Sequence, residues 1–105
     1  MAEDQPDVIA EDQRKVLLIA QFLADSFARC SIFYDDPVAR AYRIVDESTG
    51  TLLHQATVSR AFLEDHAEAD IVPALQNLAF LACLKIAGTR RVTVKSQMIE
   101  IEVAA

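Results

Sequence analysis

The chain has 105 residues, of which 52% are hydrophobic and 25% are charged, with 2 Gly and 3 Pro. This composition is typical of one globular domain and excludes collagen-like, low-complexity and disulfide-rich secreted chains. The formal net charge is -6 and the 10 basic residues are dispersed, which argues against nucleic acid or an anionic membrane as a partner, because phosphate binding needs clustered bases.

The first twelve residues contain five acidic and no basic residues. We predict that residues 1–11 form a flexible acidic tail, which favours solubility or a partner protein with a basic surface. Residues 12–105 are predicted to form one domain. Because an acidic start lacks the basic region of a signal peptide, and because Cys30 and Cys83 show no metal or redox spacing, we expect a cytoplasmic protein with reduced thiols.

The first predicted element is a helix over residues 12–29 with Asp12 as its N-cap. Its buried face is expected to contain Val16, Ile19, Ala20, Leu23 and Phe27. A second apolar stripe, formed by Leu18 and Phe22, lies on the side expected to face water. One helix cannot bury both stripes against a single sheet, so this second stripe indicates either an extended core contact or a homodimer interface.

Three strands are predicted next, the first of them at Cys30–Tyr34, where β-forming residues precede the turn residues Asp35, Asp36 and Pro37. Alternating residues at 38–45 and 51–58 predict a hairpin whose loop ends at Gly50, where a positive φ is needed. His54 falls in the middle of the second hairpin strand, on the side expected to face the core or a groove beside a helix.

Ser59 is expected to cap a short helical turn, and a polar segment then leads into a long apolar helix over residues 71–87. Asp70 is the predicted N-cap of this helix, Pro73 falls in its first turn, and Gly88 follows its last turn. Because the helix has few polar residues, it must be covered over most of its circumference, by the sheet and first helix or by an oligomer interface as well.

The last residues predict a second hairpin in which Val92 pairs with Ile101 and Val94 with Ile99, so that the apolar residues share a face. The predicted fold is therefore α+β: a helix, three antiparallel strands, a long apolar helix and a C-terminal β-hairpin. We expect a mostly antiparallel sheet with the helices packed on one face.

Few residues have the chemistry of a catalytic or ligand site. His66, Glu68 and Asp70 alternate in the polar segment and could bind a divalent cation, and His54 could contact a small ligand. The spacing matches no known metal signature, and the helix dipole also favours acidic residues before a helix. The chain contains no catalytic motif, such as a nucleophile elbow or a phosphate loop, so we expect no enzyme and no cofactor.

These observations favour a small non-catalytic protein–protein interaction module, an accessory, adaptor or inhibitory protein of bacterial or phage type. We expect a homodimer whose interaction surface includes Leu18 and Phe22, with a second protein carrying a basic surface as a further partner. The alternative is a small-ligand or metal-binding domain with a pocket near His54 or the His66 segment.

Overall fold

The computed structural model describes residues 4–34 and 40–103, and of residues 4–12 it describes the backbone alone. The elements of these ranges are α1 (Asp4–Ser26), β1 (Cys30–Tyr34), β2 (Ala41–Asp46), β3 (Leu52–Val58), α2 (Arg60–Asp65), α3 (Glu68–Asn77), α4 (Phe80–Ala87), β4 (Arg91–Val94) and β5 (Ile99–Ile101).

The five strands form one mixed sheet in the order β1-β2-β3-β4-β5. Neighbouring strands are antiparallel except for β3 and β4, which are parallel and are connected through α2, α3 and α4. The prediction of an α+β fold with a mostly antiparallel sheet is confirmed. The predicted register of the second hairpin is confirmed as well, because Val92 pairs with Ile101 and Val94 with Ile99.

Helix α1 begins at Asp4, well before the predicted start. The predicted N-cap at Asp12 is therefore wrong, and the backbone of residues 4–11 continues the helix. Two features of the first turn are compatible with this start: Asp4 and Asp7 carry the charge that a helix N-terminus favours, and Pro6 falls where a missing N–H costs little. That residues 1–11 form a flexible acidic tail outside the domain stays a prediction.

The single long helix predicted over residues 71–87 is instead two helices, α3 and α4, whose axes differ by 52°. The break lies at Ala79, which has a left-handed backbone with a φ of 58°. In a straight helix, Phe80 would point about 140° away from Leu75, yet both side chains are buried. The break therefore turns the two apolar faces toward one core, and this packing need is invisible in the local sequence.

Two predictions about the ends of this segment have different outcomes. The N-cap of α3 is Ala67 and not Asp70, which lies in the first turn of the helix. Gly88 caps α4 as predicted, with a positive φ of 63°. In the described residues no single helix meets the length and apolarity needed to cross a membrane, although α3 and α4 taken together meet both as a bent pair.

The hydrophobic core contains side chains from both the helices and the sheet. Its strand residues alternate along β2, β3 and β4 and share one face of the sheet: Tyr42, Ile44, Ala56, Val58, Val92 and Val94. Helix α1 contributes Val16, Ile19 and Leu23. The hydroxyl of Tyr42 donates a hydrogen bond of 2.9 Å to the carbonyl oxygen of Val16, which ties β2 to α1. Burial raises the pKa of Tyr42 because a phenolate would be desolvated there.

Candidate interaction surface

The two predicted interface residues on α1 are both partly buried. Phe22 packs against the core, whereas Leu18 lines a groove on the surface of the helix. Between Leu18 and the buried Val16 lies Leu17, which is 49% exposed. Leu17 was not predicted from the sequence because it belongs to neither apolar stripe. Its helical neighbours Gln13 and Gln21 are the signal that would have placed it facing water.

Two shallow grooves lie on either side of Leu17. The first, of about 350 Å³, is lined by Arg14, Leu17, Leu18, Gln21 and Glu68. At its rim the Nε atom of Arg14 lies 3.2 Å from a carboxylate oxygen of Glu68, and this ion pair connects α1 to α3. The groove thus has an apolar floor and a charged rim, the arrangement found in protein–protein interfaces.

The second groove, of about 170 Å³, is lined by Gln13, Val16, Leu17 and Tyr34. Tyr34 is the last residue of β1 and is 42% exposed. Leu17 therefore lines both grooves, and the second groove reaches the edge of the sheet at Tyr34. Leu17, Leu18 and Tyr34 are called the Leu17 surface below.

Strand β1 is an edge strand paired with β2 alone among the described strands. The backbone N–H of Glu47 donates to the carbonyl oxygen of Arg29, which fixes which residues of β1 bond to β2, since bonded and non-bonded pairs alternate in an antiparallel ladder. Residues 31 and 33 bond to β2. The N–H and C=O groups of Cys30, Ile32 and Tyr34 therefore point away from the sheet.

The side chains of β1 are uncharged throughout: Cys30, Ser31, Ile32, Phe33 and Tyr34. Cys30 and Ile32 pack partly against the core. Phe33, on the opposite face, is 49% exposed and lies 5.9 Å from the guanidinium carbon of Arg43. Among the described residues, the edge therefore presents backbone groups that no strand pairs with, and apolar side chains lie above and below it.

The residues that the sequence predicts to bind a ligand or metal contact different partners in the structure. The Nδ1 atom of His54 lies 3.0 Å from the carbonyl oxygen of Gly88, and its ring lies 5.4 Å from the ring of Phe27. His54 thus links β3 to the end of α4, in the part of the fold where a core or groove position was expected.

His66, Glu68 and Asp70 also lie in different surroundings. The Nδ1 atom of His66 lies 2.8 Å from the carbonyl oxygen of Phe62, at the end of α2. Glu68 is paired with Arg14, and Asp70 is exposed in the first turn of α3. Across residues 13–34 and 40–103, no three His, Cys, Asp or Glu side chains are grouped as metal ligands would be.

The two cysteines are free thiols and partly buried. Burial raises the pKa of the Cys30 thiol, and the carboxylates of Asp46 and Glu47 raise it further, because both effects disfavour a thiolate. A raised pKa lowers the fraction of the nucleophilic form at neutral pH. Cys30 is thus a packing residue of β1 that is mostly protonated at neutral pH.

Comparison with known proteins finds no family model, no curated protein sequence and no solved structure that matches the chain. Function is therefore inferred from the surface that the Leu17 surface and the edge of β1 form together. Its apolar side chains and outward-facing backbone groups suit contact with another polypeptide, by burial of area and by strand pairing.

Proposed function

We propose that this chain is a non-catalytic protein–protein interaction module that acts as a homodimer, in an accessory, adaptor or inhibitory role. The observation that carries the proposal is the Leu17 surface. Single exposed apolar side chains are ordinary, but here Leu17 is half exposed between two grooves whose walls include Leu18 and Tyr34. These adjoining apolar side chains offer area that a second copy can bury.

The helices are proposed to cover one face of the sheet and to leave the other open. This is supported by the strand residues of the core, which all share one face. On the opposite face Arg43 and Glu100 are exposed, and Thr93 is partly exposed. A sheet with one solvated face keeps that face available for a further contact, and the second proposed partner, a protein with a basic surface, is suggested by the acidic residues 1–11.

The charged rim of the Leu17 surface supports an interface that excludes water from an apolar centre. Arg14 and Glu68 are roughly half exposed and already pair with each other. An exposed pair contributes little stability by itself, about 0–1 kcal/mol, but it offers both signs of charge to a second copy. The centre of the surface, Leu17, has no charge to desolvate when it is covered.

Light scattering tests the homodimer. We expect a mass of about twice 11.6 kDa at micromolar concentration, and a shift toward monomer for Leu17→Asp, because the new carboxylate would be desolvated in the interface. Leu17→Asp should leave the fold intact, since the residue is half exposed. It is a cleaner test than Phe22→Asp, which would also disturb the core against which Phe22 packs.

The matched control is Ile86→Asp. Ile86 is the same kind of side chain, 70% exposed on α4 and outside the Leu17 surface. This change should leave the mass unchanged. A wild-type protein that stays monomeric at all accessible concentrations, or equal dissociation by the two substitutions, would contradict the proposal.

A further inference from the structure

The outward edge of β1 supports an inference that goes beyond the Leu17 surface. In the described part of the chain no strand pairs with this edge, and the N–H and C=O groups of Cys30, Ile32 and Tyr34 point toward it. Natural proteins usually protect such an edge with charge, proline or a bulge. The five residues of β1 contain no charge and no proline.

We propose that the β1 edges of two copies pair antiparallel about a two-fold axis at Ile32, joining the two five-stranded sheets into one continuous sheet. The inference rests on the proposed homodimer and names the segment through which the two copies meet. Ile32 lies opposite Ile32 of the second copy, and Cys30 lies opposite Tyr34 of the second copy. Each of these pairs exchanges two backbone hydrogen bonds, so every outward-facing group of β1 is satisfied.

Side-chain volumes support this register. On the core side of the sheet the small Cys30 faces the large Tyr34, and on the other side the small Ser31 faces the large Phe33. A shift by one residue would set core-facing side chains against solvent-facing ones, and a shift by two would leave either Tyr34 or Cys30 without a partner in the strand, depending on its direction. The strand is thus complementary to its own copy in both volume and backbone pattern.

Charge and size also select a second copy. Because β1 contains no charged residue, two copies bring no like charges together. A five-residue strand is about 17 Å long, which alone is small for an interface that buries about 800 Å² on each partner. The Leu17 surface adjoins the edge at Tyr34, so the α1 helices of the two copies come together and supply the remaining area.

Cysteine cross-linking tests the register directly. In a background of Cys30→Ser and Cys83→Ser, the variant Ile32→Cys places two thiols on residues whose Cα atoms are about 5.5 Å apart, within the range of a disulfide. We expect oxidised glutathione to convert most of the protein to a covalent dimer on a non-reducing gel. Ser31→Cys in the same background is the control: its copies are offset by two residues, so cross-linking should be about tenfold slower or more. Equal rates, or no cross-linking of Ile32→Cys, overturn the proposed register.

A proline tests the edge itself. Ile32→Pro removes an N–H that points away from β2 and leaves the ladder to β2 intact, as proline permits on an edge strand. We expect a folded protein by circular dichroism that is monomeric where the wild type is dimeric. Phe33→Pro is the control, because it removes a bond to β2 and should lower the melting temperature.

The outcomes separate the two proposals. If Leu17→Asp dissociates the dimer while Ile32→Pro leaves it intact, the pairing of β1 edges is overturned and the homodimer stands. If the wild-type protein is monomeric at all concentrations, both are overturned, and β1 becomes an edge for a strand from another protein. If Ile32→Pro does not fold, the cross-linking rates decide.

Discussion

The two edges of the sheet differ in length and charge. Strand β1 has five residues and no charge, whereas β5 has three and contains Glu100. The carboxylate of Glu100 lies 2.8 Å from the ammonium of Lys95, and Glu102 follows the strand. Short, charged edges are a common way to prevent strand addition, and β5 has this protection, whereas the five described residues of β1 contain no charge.

The difference is clearest when each edge is paired with its own copy. The bond from the N–H of Glu102 to the carbonyl of Arg91 leaves Ile99 and Ile101 as the outward-facing residues of β5. A two-fold axis that pairs them lies at Glu100 and would bring two glutamates face to face, which is destabilising. The corresponding axis in β1 lies at Ile32. The same symmetry therefore favours association at one edge and opposes it at the other.

The largest expected effect comes from making β1 resemble β5. Ile32→Lys places a charge at the proposed two-fold axis, so that two ammonium groups meet in the dimer, while the aliphatic part of the lysine retains the partial packing of residue 32 against the core. We expect the dimer dissociation constant to rise by about a hundredfold or more, since like charges across a desolvated contact cost several kcal/mol. Sedimentation over a concentration series measures the constant. A dimer of unchanged affinity would show that the edge of β1 is not the interface.

The reverse change should make β5 resemble β1. Glu100→Thr removes the facing carboxylates and retains a good strand former, so we expect oligomers larger than a dimer at high concentration, visible by light scattering. The cost to the monomer is small, because the exposed pair with Lys95 contributes about 0–1 kcal/mol. Glu64→Thr, which breaks a similar exposed pair with Arg60 on α2, is the control and should leave the dimer unchanged.

Alkaline pH should lower the free energy of unfolding through Tyr42, which lies on the strand beside β1. Tyr42 lies on β2, next to Tyr34, and its buried hydroxyl holds α1 in place. Its pKa is raised in the folded protein, so it stays protonated where the unfolded chain ionises, above about pH 10. The stability that this difference contributes is present below pH 10 and is lost as the pH rises toward the folded pKa, by about 1.4 kcal/mol per pH unit.

Tyr42→Phe provides the comparison for that titration. It removes a buried hydrogen bond and should cost about 1 kcal/mol at neutral pH. The cost should shrink above pH 10, because the variant has no group at this position to ionise. Urea unfolding at pH 7 and at pH 10.5 measures both values. A cost that is the same at the two pH values would contradict the role of Tyr42.

Local pattern predicted much of this fold. The register of β4 and β5 follows from alternating valines and isoleucines with threonine and charged residues between them, because a slip by one residue would expose all of the apolar side chains. The cap at Ser59 and the positive φ at Gly50 follow equally from local chemistry. Such features need no knowledge of the rest of the chain.

The edges and the exposed surface could not be predicted in the same way. That β1 is an edge depends on β4 pairing parallel with β3, a contact across the whole α2–α4 crossover. The local sequence could indicate that Leu17 faces water, but its place between two grooves depends on where β1 and α3 lie beside α1. Ala79 gives no signal of a helix break, because its left-handed backbone is imposed by the packing of Leu75 and Phe80 and not by a glycine.

The smallest expected effect concerns Cys30, which reports on the β1 edge without disturbing it. In the Cys83→Ser variant Cys30 is the single thiol of the chain. Its raised pKa already slows alkylation relative to the unfolded chain.

If β1 pairs with its copy, Tyr34 of the second copy covers this thiol, so the alkylation rate should fall severalfold as the protein concentration rises through the dimer dissociation constant. Leu17→Asp should abolish that dependence. Because β5 contains no cysteine, association through that edge would leave the rate independent of concentration, and the assay thus reports which of the two edges is covered.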